Sequence, residues 1–190
     1  REALELRPLT CKNCDIKTIA GCVARSVSPI CKKPIHSIQK GFVAGRQMLQ
    51  NVVDIDTQAR IQAIRCQNNR KDYNFKSRLQ DNAINDLSII ALFDFFAAFP
   101  SVAHQWLFLV LKGLRLPLKY RWLIHWLYQR ILTYASGVGD GSLLFAILRG
   151  VMTGCPLSSI LFLLGINPIV ELFIILCRPP EFVLMILALP

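Results

Sequence analysis

Apolar positions recur in steps of three and four through Ile16, Ile19, Ala20, Val23 and Val27, the spacing of one buried face on a helix over residues 14–28. Pro29 and Pro34 are expected to end it, because proline cannot donate to the helical ladder. The stretch KGFVAGRQ (40–47) sets two glycines around a small apolar pair and reads as a loop. Residues 47–66 read as a second helix carrying Met48, Val52, Ile55 and Ala59 on one side. A polar, basic connector follows, QNNRKDYNFKSRLQDN (67–82). Then LSIIALFDF (87–95) is apolar up to Asp94, the pattern of a strand buried on both faces. Ser101 is an N-cap candidate for the next helix. Pro117 opens another, PLKYRWLIHWLYQRILTY, with Trp122, Ile124, Trp126, Leu127, Tyr128 and Ile131 making it broadly apolar. Residues 135–148 read as two short strands around GVGDGS, a hairpin signal.

The last third is the most apolar. ILFLLGINPIVELFIILC (160–177) approaches the length of a membrane span. Asn167, Pro168 and Glu171 stand near its middle, where a charge is costly in lipid. A buried core helix is therefore the preferred reading, with a membrane helix as the competing one. The order helix, loop, helix, strand, helices, hairpin, helix predicts an α+β chain, without internal repeats or low-complexity segments.

Composition adds two constraints. The 190 residues, 53% of them hydrophobic, are enough to bury a core. Their formal net charge of +10 favours polyanionic partners, because neutralised phosphates release counterions. Seven cysteines, an odd number, and no apolar leader point to a reducing intracellular compartment, nucleus or cytoplasm, rather than secretion. Cys11 and Cys14 form a CxxC, but Cys22 and Cys31 follow at wide, unequal intervals that suit a zinc site poorly.

Asp94 is the first candidate for chemistry. A carboxylate at the end of a buried strand is costly unless it has a partner or a metal. In DFFAAFPSV a small residue, Ala98, follows four positions later and an aromatic, Phe99, five later. Divalent-metal phosphoryl transfer uses such a strand-end aspartate with a turn behind it.

Four blocks then fall in order. LRPLTCKNCDIKTIA, QKGFVAGRQ, FDFFAAFPSV and RGVMTGCPLSSILF resemble the opening block, the finger block and the first two palm motifs of non-LTR (LINE-like) retrotransposon reverse transcriptases. The resemblance covers about residues 6–175. It implies a right-hand polymerase fold, fingers plus partial palm, with helices packed on a small, incomplete antiparallel sheet. Residues 1–86 would be the fingers-like part, 87–178 the partial palm and 179–190 a tail.

The resemblance also implies roles. Asp94 would be catalytic and hold Mg2+. Phe99, after Ala98, would be the gate that stacks on the sugar. Arg46 would reach the triphosphate, with Thr153 and Gly154 beside the nucleotide. Arg7, Lys12 and Pro156 would follow the template. The partners implied are an RNA template, a DNA primer and deoxynucleoside triphosphates, with no membrane. The basic connector at 70–78 is a further candidate for nucleic acid.

Departures from the family pattern are as informative. Thr153 stands where the second palm motif usually has Gln, and Pro100 where the first usually has a second Asp. No Asp-Asp pair occurs in the chain, and no aspartate follows Asp140. The third palm motif, Ala-Asp-Asp, would begin near EFVLMILALP (181–190). A permissible back-translation of that tail, shifted by one base, reads Arg-Val-Cys-Ala-Asp-Asp-Ile-Gly-Ala-Ala. The tail is thus expected to be a frameshifted copy of the missing motif, with no designed place to pack. The chain is expected to be a truncated, inactive reverse transcriptase fragment. The alternative is a non-catalytic relic that still binds nucleic acid.

Overall fold

The computed structural model describes residues 13–70, 89–93, 97–129, 131–134, 141–176 and 182–186. Asp94, Arg7, Lys12 and the 71–82 portion of the basic connector lie outside them.

Helix α1 runs Cys14–Lys32 and buries Ala20, Val23, Ala24, Val27 and Cys31, the face that the periodicity predicts. It does not stop at Pro29, which sits inside the helix. Both Pro29 and Arg25, whose carbonyl loses its donor, are exposed, where a freed backbone group costs least. Burial of Val27 and Cys31 one turn apart carries the helix past the proline. Helix α2, Met48–Arg70, matches its predicted place and runs longer. The stripe assigned to it is not buried: Met48 and Val52 are exposed, and only Ile55 and Ala59 are half-buried.

Strand β1, Ile89–Phe93, falls within the predicted run 87–95, whose Asp94 is outside the described residues. A single helical turn, α3 (Ala98–Ser101), precedes helix α4 (His104–Gly113). Ser101 is not the N-cap of α4. Ala103 holds that position without a side-chain bond, and Ser101 Oγ instead donates back to the Ala98 carbonyl at 2.9 Å. Its hydroxyl closes the preceding turn, a local competition that serine often wins. Helix α5, Leu118–Tyr128, is preceded by Pro117, and the rest of its predicted run becomes a strand.

That strand, β2 (Ile131–Tyr134), pairs antiparallel with β3 (Leu143–Ile147), Ile131 opposite Ile147. The hairpin is therefore present, with its first strand earlier than predicted. Helix α6, Ser158–Leu176, follows. Strand β4, Phe182–Ile186, lies parallel to β1 from Ile89·Phe182 to Phe93·Ile186. The α+β class and the small antiparallel sheet are as expected, and the parallel pair is an addition. The apolar tail thus finds a backbone partner, in a pair with an open edge on either side among the described residues.

One core joins α1, α4, α5, α6 and the segment 151–157. Its most deeply buried side chains include Leu107, Leu111, Ile124, Leu157, Leu161 and Leu164. Helix α6 is long and apolar enough to cross a membrane by length and composition, yet half of its most apolar window is buried inside the protein. The buried part runs from Leu161 through Asn167, against α1 and α4. Leu172, Ile175 and Leu176, at its far end, are exposed.

Candidate active site

Gly150 is the pivot of the site. Its φ of +94° lies in the left-handed region that glycine enters without penalty. A Cβ here would stand 2.8 Å from the Pro100 carbonyl oxygen and 2.9 Å from its Cα, inside any permitted contact. This close approach lets 149–151 run beside 99–103. The Gly150 N–H donates to the Val102 carbonyl at 2.6 Å, and the Val151 N–H to that of Phe99 at 2.8 Å. Ala103 and Arg149 form an antiparallel bridge. Buried His104 adds a side-chain bond, its Nε2 to the Gly150 carbonyl at 2.8 Å. A carbonyl only accepts, so the proton is on Nε2. The Arg-Gly-Val turn therefore clamps the second palm-like motif onto the first.

Behind the turn, buried Ser158 opens α6 and donates to the Met152 carbonyl at 2.6 Å. Its one proton is then committed, so Tyr128 Oη, at 3.0 Å, is the donor to Ser158 Oγ. Burial and the neighbouring Cys155 push the Tyr128 phenol well above its ordinary range, leaving it a neutral structural donor.

The finger block meets the same junction through aromatic rings. Phe99 is half-buried. It stacks on Phe162 of α6 with centroids 4.8 Å apart and meets Phe42 edge-on at 6.2 Å, both favoured geometries. Three blocks far apart in sequence thus converge on one ring. Ala98 is buried beside it, in the turn that starts at Ala97 with φ +50°.

Loop 34–46 is held from two sides. Asn167, only 2% exposed, uses all four of its hydrogen-bonding positions. Its Oδ1 accepts from the His36 N–H at 2.8 Å and from Gln39 Nε2 at 2.7 Å. Its Nδ2 donates to the Pro34 carbonyl at 3.0 Å and to Glu171 Oε1 at 2.7 Å. Arg46 closes the loop on itself: Nη1 donates to the His36 and Gln39 carbonyls, both at 2.8 Å, and Nη2 to that of Ile35 at 3.1 Å. Three of its five donors are committed. In this conformation Arg46 is first a loop clamp.

Between the loop and the start of α6 lies a cleft of about 560 Å3, lined by Phe42, Val43, Gly45, Arg46, Pro156 and Ser159 among others. Arg46 and Pro156, from two different motifs, therefore share one cavity. Thr153 is half-buried in the turn ahead of it, and exposed Gly154 has φ +86°. Sequence reasoning missed the clamp by Asn167 and the bond from His104. The first had a signal, an amide and a carboxylate four residues apart in an apolar helix. The second had none, since one histidine says nothing about which carbonyl it will meet.

Among the described residues no three His, Cys, Asp or Glu side chains gather to hold a metal ion. Cys14 and Cys22 are exposed, whereas Cys31 and Cys155 are buried. Burial pushes the Cys31 thiol up to about 11, which suits a packing residue. The described donors thus do not fit a two-ion centre.

These contacts tie together the segments that the sequence singled out, in a helical scaffold with small sheets. The family model for reverse transcriptase (RNA-dependent DNA polymerase) matches residues 3–177, nearly the whole chain. The chain belongs to the reverse transcriptase family. No curated protein matches it.

Proposed function

We propose that the chain is the fingers-like part and partial palm of a non-LTR retrotransposon reverse transcriptase, inactive as a polymerase by itself. On this reading residues 1–86 form the fingers-like part and 87–178 the partial palm. The tail at 179–190 is the third palm motif in a shifted frame, and the parent enzyme acts inside the cell on an RNA template, a DNA primer and deoxynucleoside triphosphates. The junction of Phe42, Phe99 and Phe162 carries the reading, because it joins the finger block, the first palm motif and the second. Asp94 is then the carboxylate that would hold Mg2+, and Phe99 is the gate that stacks on the nucleotide sugar. Arg46, Thr153 and Gly154 serve the nucleotide, while Pro156, Arg7 and Lys12 serve the template. Two-ion phosphoryl transfer needs carboxylates that converge from more than one motif, and this chain has no Asp-Asp pair.

Primer extension on an RNA template tests the proposal. No Mg2+-dependent product above background is expected from the 190-residue chain, and Asp94→Ala should change nothing. Synthesis that Asp94→Ala abolishes would overturn the inactivity. Retained, salt-sensitive RNA binding without synthesis would favour the binding relic.

A further inference from the structure

Helix α5 turns an unusual face outward. Ile124, Leu127 and Tyr128 are buried, and the opposite side exposes Leu118, Lys119, Trp122, His125, Trp126 and Gln129. Trp122 is 71% exposed, Trp126 54% and Leu118 69%. The two indoles are four residues apart, about 6 Å along the helix axis, on one stripe. Folding usually hides so much aromatic area.

Charge says what kind of partner fits. No aspartate or glutamate occurs between Asp94 and Asp140. Lys112, Arg115 and Lys119, in the last turn of α4, the link and the first turn of α5, are all exposed. Among the described residues the one salt bridge is Arg60–Asp56, so no described carboxylate pairs with these three cations. Lys119 Nζ sits 5.3 Å from the Tyr120 ring centroid. Exposed positive charge around the start of α5 thus accompanies flat aromatic surfaces along it.

We propose that the outer face of α5 is a binding surface for single-stranded nucleic acid, separate from the cleft between loop 34–46 and α6. Bases stack on Trp122 and Trp126, while Lys112, Arg115 and Lys119 take phosphates. Stacking on exposed aromatics beside a basic track is how sequence-tolerant single-strand binding works. The surface does not need the polymerase chemistry, so it goes beyond the function proposed above. A protein partner would cover the indoles but would leave the cations without counter-charge unless it were acidic. An anionic membrane would satisfy both, and the test separates it.

Binding of a 20-nucleotide oligouridylate to the full chain is followed by tryptophan fluorescence and by anisotropy of a labelled oligonucleotide. Quenching on binding is expected. Trp122→Ala and Trp126→Ala should each weaken binding roughly 5- to 100-fold, in the range measured for single stacking residues. Trp122→Phe should recover much of the loss, because a ring remains. Lys119→Gln should weaken binding and flatten its salt dependence. These side chains are exposed, so unchanged circular dichroism is expected for every variant. Unaltered affinity in both alanine variants would overturn the proposal, even if the chain binds RNA elsewhere. So would equal quenching by vesicles of phosphatidylserine and phosphatidylcholine with none by the oligonucleotide. If the oligonucleotide quenches but primer extension shows no synthesis, the surface stands whatever the cleft does.

Discussion

Helices α1 and α2 start from similar material and end differently. Each carries apolar residues at helical spacing. In α1 that stripe, Ala20, Val23, Ala24, Val27 and Cys31, is buried against the core. In α2, Met48, Leu49, Val52, Val53 and Ile64 are exposed. The contrast extends beyond the helices. The segments 97–104 and 149–158 are sewn together by backbone and side-chain bonds, whereas the hairpin leaves Leu132, Tyr134, Leu143, Leu144 and Phe145 exposed. Periodicity makes a face; only a partner buries it. In this chain the partner of α1 is α6, and an apolar face without one is a surface that favours association.

Core truncation should separate the two regions most. Leu161→Ala, at a fully buried site, should cost about 2–5 kcal/mol by analogy with other buried leucines. Leu49→Ala, on the open side of α2, should stay within about 0.5 kcal/mol. Urea denaturation of both variants measures the difference, and equal losses would show that α2 is packed in solution.

Two glycines sharpen the same contrast. Gly150→Ala forces a side chain into left-handed backbone and onto Pro100, with an expected cost of ~3 kcal/mol. Gly21→Ala, in α1, meets nothing within 4 Å and should stabilise by about 0.5–1 kcal/mol. Thermal unfolding reads both signs, and tolerance of Gly150→Ala would dismiss the close approach as a determinant.

The loop clamp comes next. Asn167→Ala strips loop 34–46 of its bonds to α6 and should cost about 2 kcal/mol, since it strands buried groups. Limited proteolysis should then cut faster at 34–46 and leave α1 intact. Protection equal to that of the unmodified chain would assign the loop's order to Arg46 alone.

The last effect, absent at neutral pH, is a pH dependence. The Cys31 thiol is held up at about 11 against an ordinary 9.0 by burial. Between those values the unfolded chain loses a proton that the folded chain keeps, so stability falls as pH rises. Its contribution is complete below pH 9 and lost through pH 11. Cys31→Ala should flatten the alkaline limb of a stability profile. Among free thiols, Cys14 and Cys22 should react with an alkylating agent well before Cys31.

Much of this was legible in the residues. The face of α1, the strand at 89–93, the hairpin and the apolar helix at 158–176 all follow from periodicity and turn residues. The motif blocks pointed to the family, because four in order are hard to produce by chance. Other features resisted for physical reasons. Pro29 reads as a stop in any local rule, and burial of Val27 and Cys31 overrides it. Ser101 reads as a cap, but its hydroxyl satisfies the nearer carbonyl. Arg46 reads as a ligand for phosphate, and three carbonyls of its own loop take its donors first.

By itself, then, the sequence determined where helices and strands form and which residues carry the family's motifs, because spacing, turn chemistry and residue type act locally. Tertiary structure decided which apolar faces are covered. It also decided that Asn167 is a clamp rather than a flaw in an apolar helix, and that Phe42, Phe99 and Phe162 meet. Those outcomes depend on groups tens of residues apart arriving within a few ångströms, a matter of three-dimensional packing that no local pattern encodes.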